Sequence, residues 1–422
     1  MDRSAKVPWL AIILAGSFAL RAVAAVAVQK VVDRTPGRLC LISGDADGYW
    51  QLGRKLARGD EYSVYEPPRR VLRVPGFPFL LSLGIRAFGE RPFWIRLLLA
   101  AVGTIACGLT YRLAGLLFDH RTAVVAGIIA AVHPAFIGFS VLFLSETLFA
   151  VALLASLIAL AHLVRAEGQG LTDASKVWWA FVSGLLIGVA TLVRPTWLLI
   201  GPGFVALYVL LSARRIQAAV HGAVLMAGLA LCLAPWTIRN ATVTGHFIPT
   251  TLWVGASLYD GLNPQATGAS DMRFVEDDGI YQQMSEYDAD QFYRRKAIEF
   301  VRERPLRSLE LAVIKLWRFW NPVPNAQQFG RWEIAAVVAL GAIPLIGLAV
   351  WGGIVVRHNY WSWLIPAAPV LYFSLVHMVF VGSVRYRLPV EYPLAALAAV
   401  AVCRGIDVYR ESSPTSRPSQ SA

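Results

Sequence analysis

The chain has 422 residues, 56% of them hydrophobic and 16% charged, with a mean hydropathy of +0.54. A soluble globular chain is about 45–50% apolar and about 25% charged, so this composition excludes an ordinary soluble domain and indicates a polytopic membrane protein. The net charge of +12 does not indicate a nucleic-acid partner, because the positive residues are scattered at the ends of apolar runs and form no single patch.

The first apolar run, 7–28, follows Arg3 and Lys6. Ala25-Val26-Ala27 offers a small-residue cleavage site, but a run of about 20 residues interrupted by Arg21 reads better as an uncleaved first span than as a signal peptide. The polar stretch Ser43 to Gly59 follows and carries Asp45 and Asp47. The run 75–88 opens on two prolines, contains Arg86, and is too short to cross; it predicts an interfacial or re-entrant helix. Further apolar runs lie at 93–117, 121–142, 146–164, 178–194, 196–212, 217–236, 332–356, 360–381 and 388–403, which gives about ten spans.

The positive-inside rule orients them. With the N-terminus in the cytoplasm and 75–88 kept outside, Arg112, Arg121, Arg165, Lys176, Arg214, Arg215, Arg357, Arg404 and Arg410 all fall inside. The Asp45/Asp47 loop, the 143–146 turn, the 237–331 segment and the 382–387 turn then share the outer face. The long segment is turn-rich in its first half. Its second half predicts an amphipathic helix opened by Ser285 and Asp288 and ended by Pro305, then an interfacial helix bearing Trp317 and Trp320. This divides the chain into an N-terminal membrane module (1–236, with its first outer loop at 29–92), a periplasmic segment (237–331), C-terminal spans (332–403) and a disordered cytoplasmic tail (404–422). Cys40, Cys107, Cys232 and Cys403 show no paired spacing and imply neither a disulfide framework nor a zinc site.

Three constellations could carry chemistry. Asp45 or Asp47 could be a general base that takes the proton of an acceptor hydroxyl; alternatively, Asp45 caps the helix that follows. Glu146 could be a second acid that positions the acceptor or shares a divalent cation, or simply a first-turn glutamate favoured by the helix dipole. His133 reads as a packed polar residue. Arg194, Arg239, Arg385 and Arg387 stand on the outer face against the sorting rule, and Arg21 lies within the first span. Together they suggest a bound anion, since arginine grips phosphate bidentately and stays charged when partly desolvated. Arg69, Arg70 and Arg73 could join the same rim. Tyr49, Tyr386 and Asn240 are the candidate acceptor or sugar contacts.

The motifs GDADGYWQLGRKLARG, RVPGFPFLLSL, FLSETLF, LVRPTWLLIGP, APWTIRNATVTGHFIP, GLNP and RYRLPVEYPLAALAA resemble, in that order, the GT-C fold membrane glycosyltransferases. The resemblance is to the dolichyl-phosphate-mannose protein mannosyltransferases and the bacterial aminoarabinose transferase acting on lipid A (glycosyltransferase family 39-like), and it spans most of residues 10–403. It implies an all-α polytopic protein of the GT-C fold, with about ten transmembrane helices, in a bacterial inner membrane. It further implies an inverting glycosyltransferase that moves a sugar from a polyprenyl-phosphate-linked donor to an acceptor hydroxyl at the extracytoplasmic face. The catalytic role carries to Asp45, with Asp47 as its understudy, and the acid of the next outer turn carries to Glu146. The late outer arginine before a proline carries to Arg387, with Arg385, Arg239, Arg194 and Arg73 as further donor-phosphate ligands. Many relatives have a second acid directly after the first, where Ala46 stands here. A divalent cation (Mg, Mn or Zn), if one is used, would fall to Asp45 and Glu146. The alternative to a transferase is a lipid-linked-sugar flippase or another multi-span transporter. Internal repeats would mark such a transporter, and the sequence shows none.

Overall fold

The computed structural model describes residues 8–35, 38–41, 44–168, 172–324 and 332–412, and among these the regular structure is helical. Helix α1 (Trp9–Asp33) leads to α2 (Asp45–Arg58) and α3 (Gly76–Phe88), which pack together at one end of the bundle. Next come α4 (Pro92–Leu117), α5 (His120–Val132), α6 (Pro134–Phe139), α7 (Glu146–Gly168), α8 (Asp173–Val193), α9 (Ile200–Leu211) and α10 (Arg215–Thr244). Short helices α11 (Val254–Gly261), α12 (Phe274–Asp277) and α13 (Ile280–Gln283) precede α14 (Glu286–Glu303) and α15 (Pro305–Trp320). The chain closes with α16 (Trp332–Val355), α17 (Tyr360–Val379), α18 (Val384–Glu391) and α19 (Leu394–Ser412).

Seven helices, α1, α4, α7, α8, α10, α16 and α17, are long and apolar enough to cross a membrane, and the α18–α19 pair, bent by 61°, makes an eighth if counted as one span. Among the described residues, helix length and composition alone do not confirm the expected ten, because three of the expected spans are interrupted. Run 121–142 breaks at His133-Pro134 into α5 and α6. Run 196–212 yields the 12-residue α9 behind Pro195, and run 388–403 is bent where Pro393 separates α18 from α19. Each break falls at a proline, whose ring and missing N–H weaken the helical hydrogen-bond ladder, although α10, α16 and α17 carry prolines within them unbroken. A 13-residue helix such as α5 rises only about 20 Å, short of a hydrocarbon core of roughly 30 Å. The run 75–88 forms the 13-residue α3, as its length predicts.

Packing among the long helices uses small residues. A Cβ on Gly184 of α8 would lie 1.9 Å from the Leu225 carbonyl oxygen of α10, and one on Gly228 would lie 2.5 Å from the Phe181 carbonyl oxygen. Both glycines are required by backbone approach, the usual device of helix pairs within lipid. Ser285 caps α14 as its sequence predicts, accepting from the Asp288 N–H at 3.1 Å. In α15, Leu306, Leu309, Val313 and Trp317 are exposed along one stripe while Leu311, Lys315 and Phe319 are buried on the other side, a division that suits a helix lying in the interface. The C-terminal tail does not begin at 404, since α19 continues to Ser412; residues 413–422 lie outside the described residues.

Candidate active site

Five segments of the chain converge on one polar cluster. The first is the start of α2. Gly44, at φ +84°, turns the chain into the helix in a conformation that disfavours any side chain. Asp47 then accepts the Gly44 N–H at 3.0 Å, so it is Asp47, and not Asp45, that satisfies the helix terminus. Asp47 makes no bond to the cluster arginines among the described residues. Asp45, one residue past Gly44, is left to project into the cluster.

The apolar side of α2 fixes that projection. Trp50 stacks on Phe143 at 5.1 Å, and Tyr49 meets Phe77 edge-on at 5.0 Å. Leu142, Phe143 and Leu144, buried with them, bring the 140–146 turn against α2 and so place Glu146, first residue of α7, beside Asp45. Arg96, fully buried in α4, donates to the Val141 carbonyl at 2.9 Å and lies 4.5 Å from the Phe143 ring centroid. Sequence reasoning passed over Arg96, although an arginine inside the apolar run PFWIRLLLAAVG is the signal that could have found it.

Three arginines close the cluster. Arg73 pairs with one oxygen of Asp45, and Arg385 donates to the other at 2.9 Å. The Arg385 Nε also donates to Glu146 Oε1, which Arg194, in the residue after α8, reaches at 2.9 Å. The order is Arg73–Asp45–Arg385–Glu146–Arg194, a line of alternating charge with Arg385 at its centre. Glu146 is 2% exposed and Asp45 29%, so the line runs from a buried end to an open one. Burial alone would raise the Asp45 carboxyl, but Arg73 and Arg385 outweigh it and hold the group well below the usual carboxylate range. Tyr49 and Tyr386 border the line. Arg73 lies 5.1 Å from the Tyr49 ring and Arg194 5.2 Å from the Tyr386 ring, and the Tyr49 hydroxyl reaches Ser145 Oγ at 3.4 Å.

Other expected members stand elsewhere. Arg387 is fully buried and engaged away from the cluster, donating to Glu391 at 2.5 Å and to the Phe319 carbonyl at 2.6 Å. Arg385, and not Arg387, meets the acids of the cluster. Arg239 donates to the Arg70 carbonyl at 2.7 Å and the Tyr62 carbonyl at 3.2 Å, and so braces the first outer loop. Asn240, also fully buried, donates to the Ile248 carbonyl at 3.0 Å and is shut off from any substrate. Arg21 is held inside the bundle by Ser17 Oγ at 2.7 Å and the Ala131 carbonyl at 3.2 Å. His133 packs on Phe136 with ring centroids 4.1 Å apart. The two acids that could hold a divalent cation, Asp45 and Glu146, are engaged by arginine through one or both oxygens, while Glu146 Oε2 is buried without a hydrogen-bond partner. Arg385 bridges the two carboxylates, and among the described residues no group of three or more His, Cys, Asp or Glu side chains gathers anywhere.

Comparison with known proteins bears on the fold. Residues 69–238 match the family model described as dolichyl-phosphate-mannose-protein mannosyltransferase. The archaeal oligosaccharyltransferase AglB from Archaeoglobus fulgidus, in complex with an inhibitory peptide and a dolichol-phosphate, superposes with a TM-score of 0.59 at 16% identity. That match covers 99% of this chain and 53% of the other, so the chain spans about half the length of that protein. The apo form of the same enzyme gives 0.59 and 16% over 100% and 54%. ArnT from Cupriavidus metallidurans, in the apo state, gives 0.48 at 14% identity over 99% and 82%. No curated protein sequence matches.

Proposed function

We propose that this chain, which has the GT-C fold of the membrane glycosyltransferases, transfers a sugar from a polyprenyl-phosphate donor to an acceptor hydroxyl with inversion. The observation that carries the reading is the central place of Arg385, one guanidinium holding the only two carboxylates of the line. In the resting enzyme the base and the phosphate-binding groups neutralise each other. A donor phosphate competes with the carboxylates for Arg385 and Arg194, the bidentate partners arginine prefers. As Arg385 turns to the phosphate, Asp45 keeps Arg73 alone and becomes a stronger base.

The step then balances as follows. The acceptor oxygen forms a bond to the anomeric carbon, and its proton passes to Asp45. The bond from the anomeric carbon to the phosphate oxygen breaks, and polyprenyl phosphate leaves with the electron pair. Arg385 and Arg194 stabilise the charge that develops on that oxygen, and Glu146 holds them in place. The reaction belongs on the extracytoplasmic side of a bacterial inner membrane, the face on which the positive-inside pattern puts Asp45, Glu146, Arg194 and Arg385 together. No step is routed through a metal, because the two acids that would hold one hold arginine.

Transfer of radiolabelled sugar from a polyprenyl-phosphate donor, assayed in membranes carrying Asp45→Asn, tests the reading. The expected loss is about 10²–10⁴-fold, the usual worth of a general base. Wild-type turnover by a well-expressed Asp45→Asn chain rejects it. Movement of donor across the bilayer with no covalent product would favour transport instead.

A further inference from the structure

A cavity of about 300 Å³ opens beside the first outer loop, outside the ion-pair line. Its walls come from Pro67 to Arg70, from the end of α10, and from residues 281–287. The size is at the lower end of the range for small-ligand sites. Within it the Arg69 guanidinium lies 3.9 Å from the Tyr281 ring centroid, with Tyr65 at 5.1 Å and Trp253 at 5.6 Å. Aromatic faces hold the guanidinium by its plane and leave its N–H edge free. The Arg69 Nε has no hydrogen-bond partner, and Arg69 enters no ion pair among the described residues. The Tyr281 side chain is 2% exposed, and its hydroxyl too is unpartnered.

The acids nearby are engaged. Glu286 accepts the N–H groups of Arg70 and Val71 at 2.8 and 3.1 Å, and Glu61 takes Arg70 at 2.5 Å. Of the side chains that line the cavity, Arg69 and Arg70 are cationic and Glu286 is anionic, so the lining is net positive. It is also fixed in distance from the reaction. The segment leaving it is pinned by Thr251, which donates to the Val71 carbonyl at 2.9 Å, and by the Leu252 N–H, which reaches the same oxygen at 2.9 Å. That segment ends on Arg73, the partner of Asp45. Three residues of backbone from Arg70 to Arg73 can span no more than about 10 Å, so the cavity lies within one or two sugar units of the cluster.

We infer that this cavity is an anion subsite for the acceptor: it takes a carboxylate or phosphate borne one or two sugar units from the hydroxyl that is glycosylated. Arg69 and the Tyr281 hydroxyl donate to the anion. An acidic glycan and a phosphorylated lipid headgroup share this chemistry. The role as an acceptor subsite rests on the transferase reading; the binding itself does not.

Calorimetric titration of the purified full chain with glucose 6-phosphate, glucuronate and glucose tests it. Saturable binding of at least one anionic sugar is expected, at least tenfold tighter than glucose, and the better of the two anions identifies phosphate or carboxylate as the recognised group. Arg69→Gln should weaken that binding at least tenfold, and Arg385→Gln should leave it within threefold, which locates it away from the ion-pair line. If Arg69→Gln fails to fold, Tyr281→Phe keeps the ring stack and should still weaken binding about threefold, the loss of one hydrogen bond. Equal binding of glucose, no saturation up to about 10 mM, or an unchanged affinity in Arg69→Gln and Tyr281→Phe overturns the inference. Because no turnover is read, an inactive chain that binds the anion refutes only the transferase reading. An active chain that does not bind it refutes only the subsite.

Discussion

Replacing Arg385 by lysine separates charge from geometry. The ammonium keeps the positive charge but is a compact point, whereas the guanidinium presents a fork of donors. In the structure that fork serves two acids at once, Asp45 at 2.9 Å and Glu146 through Nε. Lysine can satisfy one of them, and it cannot turn a bidentate face to a departing phosphate. The loss of one preorganised donor to developing charge costs about 2.7–4 kcal/mol, which is about 10²–10³ in rate. Stability should suffer less than the about 3–5 kcal/mol expected when a buried ion loses its only partner, because Asp45 keeps Arg73 and Glu146 keeps Arg194. The assay is single-turnover transfer from a radiolabelled polyprenyl-phosphate sugar, in membranes normalised for protein. Turnover by Arg385→Lys within threefold of wild type would show that the bridge is not part of the chemistry.

Arg387→Met should behave in the opposite way. It strips the fully buried Glu391 of its partner, so thermal unfolding in detergent should show a loss of about 3–5 kcal/mol, with the surviving folded fraction transferring sugar at the wild-type rate. Chelation of divalent cations should leave transfer within twofold, since Arg385 already occupies the place between Asp45 and Glu146; a tenfold loss restored by added Mg, Mn or Zn would contradict that geometry. Lys315 of α15 is fully buried, donating to the Val379 carbonyl at 2.6 Å and the Gly261 carbonyl at 3.2 Å. Burial pushes its pKa down to about 8 in spite of Asp260. Between about pH 8 and the ordinary lysine value near 10.4 the unfolded chain therefore binds a proton that the folded chain does not, and stability rises with pH in that window. Melting temperatures measured from pH 7 to 10 should gain on those of Lys315→Met, which cannot titrate; parallel curves would refute it.

Much of the site was legible because an apolar chain makes its polar residues conspicuous. Asp45, Glu146, Arg194 and Arg385 were each singled out as charges at the ends of apolar runs, and they meet in one line. The helix pattern was legible for the same reason, since long apolar runs have few other uses. The interruptions within the expected spans were not legible, because hydropathy averages over a proline. Pro134, Pro195 and Pro393 sit inside or at the start of apolar windows, and a window sum does not register the break each imposes. Arg96 and Lys315 escaped notice because most of their partners are backbone carbonyls, which leave no mark in a sequence.

In two pairs of candidate site residues, one geometric rule decides which member faces the cluster. Asp45 and Asp47 stand two apart in α2, and Arg385 and Arg387 stand two apart in α18. A helix turns about 100° per residue, so side chains two apart diverge by about 200° and cannot both face one cluster. Composition and order therefore supply the pair, and only the roll of each helix selects the member. In α2 the roll is set by Trp50 on Phe143 and Tyr49 on Phe77, which leaves Asp45 toward the arginines and Asp47 toward the helix terminus. In α18 it is set by the burial of Arg387 against Phe319 and Glu391, which sends Arg385 the other way. A fixed roll of these two helices is thus the physical condition on which the reading of Asp45 as base and Arg385 as phosphate ligand stands.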